Sequence, residues 1–122
     1  MLSNKSLNYK VLFAFAPVLI LTGVAGFLIP PEKALTSGAT VYNIFHIVFG
    51  ALGLLLLVLR NENYIRAFNL GFGLIDLYQA FASFTHLFPE QYFKWTRADD
   101  VLHIVIGAFL VAVGLYGYKN RS

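Results

Sequence analysis

The sequence predicts an all-helical membrane protein, a four-transmembrane-helix bundle built from two repeated helical hairpins with both termini cytoplasmic. Three observations lead there. Of 122 residues, 58% are hydrophobic and only 12% charged, against about 25% charged in soluble domains. Four apolar stretches, 11–29, 41–59, 65–88 and 101–118, each approach the roughly 20 residues that a helix rising about 1.5 Å per residue needs to cross a ~30 Å hydrocarbon core. The second half of the chain also repeats the first.

The first stretch follows Lys5 and Lys10, as a secretory signal would, but its 19 residues exceed the roughly 7–15 of a signal core. Gly23-Val24-Ala25-Gly26 is also a poor cleavage site, so the stretch is read as a helix. Pro17 is expected to kink it and Pro30-Pro31 to end it, as Pro89 ends the third. Connections of five to twelve residues leave no room for a separate soluble domain, so 1–122 is read as one membrane domain. Lys5, Lys10, Arg60, Arg66, Lys119 and Arg121 fall on one side, Lys33, Lys94 and Arg97 on the other, and the excess of positive charge places both termini in the cytoplasm. The net charge of +3 then belongs to topology and lipid headgroups, with no nucleic acid as partner. Tyr42, Tyr92 and Trp95 suit the outer interface, and Tyr9, Tyr64 and Tyr118 the inner one. The absence of cysteine excludes disulfides, iron–sulfur clusters and thiol catalysis.

At an offset of 57 residues, His46-Ile47-Val48-Phe49-Gly50-Ala51 meets His103-Ile104-Val105-Ile106-Gly107-Ala108 with five identities in six positions. Gly23, Ala25, Gly26 and Phe27 meet Ala80, Ala82, Ser83 and Phe84, and Pro31-Glu32 meets Pro89-Glu90 after one residue of drift. The repeats run from about 8 to 60 and 65 to 119. Each holds two spans, so they should be related by an axis along the membrane normal. Gly50, Gly53, Gly107 and Gly114 are expected to let helix backbones approach, since apolar burial gives little drive within lipid.

At about 100° per residue, Asn43, His46 and Gly50 share a face of the second helix, Asp100, His103 and Gly107 a face of the fourth, and Asn69, Asp76, Gln79, Ser83 and His86 a face of the third. Polar side chains in hydrocarbon turn inward. A polar centre of Asn43, His46, Asp76, Gln79, His86, Asp100 and His103 is therefore expected, with the three histidines converging. Asp76, in mid-span with no lysine or arginine at similar depth, is either protonated or paired. It admits two roles, a proton-carrying carboxylate or an acid that hydrogen-bonds a neighbouring helix. His46 and His103 likewise suit axial ligation of haem or chlorophyll, the adjacent glycines making room for the macrocycle, or hydrogen bonds across the helix interface. Thr96-Arg97-Ala98-Asp99 reads as a capping box, and Asp99 is assigned only that role. No metal-binding His spacing, phosphate loop or nucleophile motif is present, so no metal site and no catalytic residues are expected.

With N-x-x-H-x-x-x-G at Asn43 to Gly50 and D-x-x-H-x-x-x-G at Asp100 to Gly107, the chain resembles the bacterial membrane proteins grouped as domain of unknown function 4383. The likeness runs from the first span to Gly117. It implies a four-helix bundle in a bacterial plasma or thylakoid membrane with Asn43, His46, Asp100 and His103 at the family's polar positions, and it implies no activity. The leading expectation is a non-enzymatic accessory or structural subunit of a larger membrane complex, its partners being the bilayer and other membrane proteins or itself. The alternatives are a haem- or chlorophyll-binding protein using His46 and His103, and a small-solute or proton carrier centred on Asp76.

Overall fold

The computed structural model describes residues 6–30, 33, 37, 39–88 and 90–120. Lys5, Pro31, Glu32, Pro89 and Arg121 lie outside the described residues, as do the side chains of Glu90, Tyr118 and Lys119. The described residues form α1 (Leu7–Leu28), α2 (Thr40–Leu59), α3 (Glu62–Thr85), the single turn α4 (Glu90–Phe93) and α5 (Arg97–Asn120), with no strand among them. α1, α2 and α5 are long and apolar enough to cross a membrane, which points to a membrane location. α3 matches them in length with 24 residues but is more polar, because Asn69, Asp76 and Gln79 interrupt it.

Local capping explains where the helices depart from the apolar stretches. Ser6 caps α1 by accepting from the Tyr9 N–H at 3.0 Å, so the helix begins a turn before the apolar run and takes in Asn8. Asn61 does the same for α3 through the Tyr64 N–H at 3.1 Å. α1 runs unbroken through Pro17 and stops at Leu28, where extended Ile29 precedes Pro30, as the steric demand of a proline on the preceding residue requires. α3 ends three residues short of expectation because His86 turns left-handed (φ 58°). The capping box forms as expected: Asp99 N–H donates to Thr96 Oγ1 at 3.2 Å, and Thr96 N–H to Asp99 Oδ2 at 2.8 Å.

α1 packs closely on α2 and α3 on α5, whereas the two pairs meet more loosely. Glycine makes both close contacts. A Cβ on Gly50 would stand 2.9 Å from the Ala16 carbonyl oxygen and crowd Ile20; one on Gly107 would stand 2.8 Å from the Gly73 carbonyl oxygen and 3.0 Å from Leu77. Ala16 and Ile20 are the counterparts of Gly73 and Leu77 at the 57-residue offset, so the two hairpins pack at equivalent positions. Between the pairs, Phe72 of α3 is the common contact, its ring centroid lying 5.6 Å from Phe15, 5.7 Å from Phe45 and 5.3 Å from Phe49. Leu12, Ala16, Leu19, Ile65 and Leu110 fill the core around these rings.

Adding a methyl group at Gly107 must force backbone apart. Gly107→Ala is expected to cost about 1–3 kcal/mol, read as a lowered unfolding midpoint in detergent. Gly71, whose Cβ would meet nothing within 4 Å, is the control, and Gly71→Ala should leave stability unchanged or raise it by up to about 1 kcal/mol.

Candidate functional site

Two polar clusters tie the hairpins together, one at each end of the bundle. At the end carrying the termini, Asn69 of α3 donates through Nδ2 to the Asn8 carbonyl at 3.1 Å and to Asn8 Oδ1 at 2.9 Å. Asn8 in turn donates to the Val113 carbonyl of α5 at 3.2 Å. Both asparagines are fully buried, where each hydrogen bond avoids the cost of an unsatisfied amide. Asn8 falls just before the apolar run, and the Ser6-x-x-Tyr9 capping pattern was the signal that would have placed it inside the helix.

At the opposite end the organising group is Asp99, which does far more than cap α5. It is fully buried and accepts from Tyr42 Oη at 2.5 Å, from the Ser37 N–H at 2.8 Å and from Thr96. Ser37 Oγ donates to the Phe93 carbonyl, so one carboxylate fastens the α1–α2 connection, α2 and the start of α5. Tyr42 is therefore not the interfacial anchor expected but a buried donor, because its hydroxyl has a carboxylate within reach. Trp95, also expected at the interface, is buried against Phe93 and His103. Tyr92 and Tyr64 are exposed.

Between these clusters lies a cavity of about 400 Å³ into which α1, α2, α3 and α5 all contribute. His46, His103 and Asp76 line it together, so three of the seven polar-centre residues converge. His46 Nδ1 pairs with the Tyr42 carbonyl at 2.8 Å, which leaves Nε2 for the cavity. His103 Nδ1 has no hydrogen-bond partner among the described residues, its ring standing edge-on to Trp95 at 6.3 Å. Asp76 is 3% exposed, and no described side chain or backbone group pairs with its carboxyl. The rest of the wall is mostly apolar, Phe15, Leu19, Phe72 and Ile106 among it, with Lys33 at an exposed edge.

The other expected members stand elsewhere. His86 does not converge with His46 and His103: it is exposed and serves as the left-handed cap of α3, its N–H donating to the Ala82 carbonyl. Gln79 and Asp100 are buried but do not line the cavity, and Gln79 Oε1 and Asp100 Oδ1 carry no hydrogen bond among the described residues. Asn43 is fully buried against Gly26. The space beside Gly50 and Gly107 is taken by α1 and α3 respectively, so these glycines serve helix contact. Among the described residues no three His, Asp or Glu side chains are grouped to hold a metal ion.

No family model, curated protein or solved structure matches the chain. Its site is defined by its own geometry: one acid and two imidazoles facing an apolar-walled cavity.

The Tyr42–Asp99 bond should be measurable as a coupling. In a double-mutant cycle with Tyr42→Phe and Asp99→Ala, the pair is expected to show about 1–2 kcal/mol of interaction in unfolding experiments; additive effects would mean that the hydroxyl contributes nothing through Asp99.

Proposed function

We propose that this chain is a four-span bacterial membrane protein with both termini cytoplasmic, acting without chemistry of its own as an accessory subunit of a larger membrane assembly. The observation that carries this reading is the division of its surface. Buried polar side chains of all four long helices face inward, where the Asn8–Asn69 and Tyr42–Asp99 contacts join one hairpin to the other. The outward faces carry large apolar side chains, such as Phe13 and Leu21 on α1, Val48 and Leu55 on α2, Phe81 on α3, and Val105 and Phe109 on α5. Apolar flanks of this kind suit lipid and the flanks of other membrane helices. Connections this short give a partner little else to hold.

The α3 helix counts as a span on this reading although it is the most polar. Asn69 donates to Asn8, and Asn69, Asp76 and Gln79 are all buried, so its lipid-facing side stays apolar. The recurrence of the N/D-x-x-H-x-x-x-G segment in α2 and α5 suits the same two-hairpin architecture. The carrier reading has one observation in its favour, the unpaired Asp76 carboxyl in a cavity.

Topology is directly testable because the chain contains no cysteine. Single cysteines at exposed Asn63 and Gln91 should be labelled by a membrane-impermeant maleimide from opposite faces, Asn63→Cys only from the cytoplasmic face; labelling of both from one side would remove a span.

The accessory role is tested by gentle solubilisation from the native membrane. The chain should migrate within a larger assembly containing other membrane proteins, and a lone monomer in several mild detergents would overturn it. If the carrier reading holds instead, purified protein in liposomes should support proton flux that Asp76→Asn abolishes.

A further inference from the structure

Several polar groups on the cavity wall are already engaged. The Tyr42 hydroxyl is held by Asp99 and the Ser37 hydroxyl by the Phe93 carbonyl, while Thr22 Oγ1 donates to the Val18 carbonyl at 2.8 Å. Besides Lys33 at the exposed edge, three polar side chains of the wall have capacity not taken up by another described group: the Asp76 carboxyl, His46 through Nε2, and the His103 ring. They come from three different helices, and no two of them hydrogen-bond each other. On α1 the cavity follows a single face from Phe15 to Ile29, about 20 Å by the helical rise, so it is a slot rather than a sphere.

A second space adjoins it. An apolar groove of about 410 Å³ runs between α1 and α5 on the outside of the bundle, and Phe15, Val18 and Ile106 line both this groove and the cavity. The helices on either side of it belong to different hairpins, which meet more loosely than the helices within each hairpin. A polar interior thus stands beside an apolar surface channel, with only three side chains as the common wall.

We propose that cavity and groove form one lateral binding site for a lipid-soluble amphiphile with a neutral, hydroxyl-bearing head group. The head lies among Asp76, His46 and His103, and the apolar tail lies along the α1–α5 groove. A hydroxyl both donates and accepts, so it can satisfy the carboxyl and an imidazole at once. A cationic head would suit Asp76 but face two imidazoles, and an anionic head would suit protonated imidazoles but face Asp76. Either charge would also be buried beside groups that oppose it, because the one fixed cation among the described residues of the wall, Lys33, stands at the exposed edge. The site requires the helices to lie in lipid, as proposed above, and is independent of the accessory role.

The chain carries its own reporter, since Trp95 is the sole tryptophan and stands against His103. With the full chain in lipid nanodiscs, Trp95 emission is titrated with 1-dodecanol, dodecanoate and dodecylammonium, which share a tail and differ in head charge. Dodecanol should give a saturable change, and both charged probes should bind at least about tenfold more weakly, a difference of roughly 1.4 kcal/mol. Asp76→Leu and Ile106→Phe should each weaken dodecanol by about tenfold, the first by removing a head-group partner and the second by narrowing the shared wall; Asp76→Asn, which keeps hydrogen-bonding capacity, should restore most of the affinity. Absence of a saturable dodecanol response in helical, folded protein would overturn the proposal, as would equal binding of all three probes or an unchanged affinity in Ile106→Phe. Failure of the membrane reading itself would show separately, in the cysteine labelling.

Discussion

The close approach of backbones within each hairpin is the constraint on which the other features depend. Gly50 on α2 meets the α1 backbone at Ala16, and Gly107 on α5 meets the α3 backbone at Gly73, both at separations that a methyl group would violate. In lipid, where removing apolar surface from solvent gives little drive, dense contact of this kind is the main source of helix association. It also sets the rotation of each helix. Once Gly50 and Gly107 face their partners, His46 and His103, one turn earlier on the same faces, must point toward the middle of the bundle.

Tightness within the hairpins leaves a looser boundary between them, and the polar groups gather along that boundary. Phe72 supplies the apolar joint. The Asn8–Asn69 and Tyr42–Asp99 contacts fasten the two ends. Between the fastened ends the hairpins do not close completely, and the cavity with Asp76, His46 and His103 is the space that remains. A site between two rigid units held at both ends can keep unpaired polar groups without the surroundings collapsing onto them, since each helix is already fixed by its hairpin partner.

The approximate symmetry has a chemical consequence at Tyr42 and Asp99. These residues occupy equivalent positions in the two repeats, yet one is a donor and the other an acceptor. The two equivalent positions meet in the fold, and a hydroxyl facing a carboxylate makes a stronger, charge-assisted bond than two hydroxyls would. The two repeats differ again where the first has Leu19 and the second Asp76. Both are buried, but only the carboxyl brings hydrogen-bonding capacity to the cavity wall.

The sequence by itself determined the helices, their approximate limits and the inward side of each. Apolar length, small residues at helical spacing and polar stripes are local properties that survive any arrangement of the helices. It also contained the 57-residue offset, which, applied to Tyr42, points at Asp99. Tertiary structure alone decided which polar residues share a space. His86 shares its face of α3 with Asp76 but is released at the helix end, where a left-handed cap turns the chain away. Gln79 lies less than one turn from Asp76 and is buried outside the cavity. Asp99, legible as a cap, became the anchor of one end because folding brought Ser37 and Tyr42 to a carboxylate that could accept from both. Distances between helices depend on packing rather than on periodicity, and that is why the members of the polar stripes were legible in the sequence and the shape of the site was not.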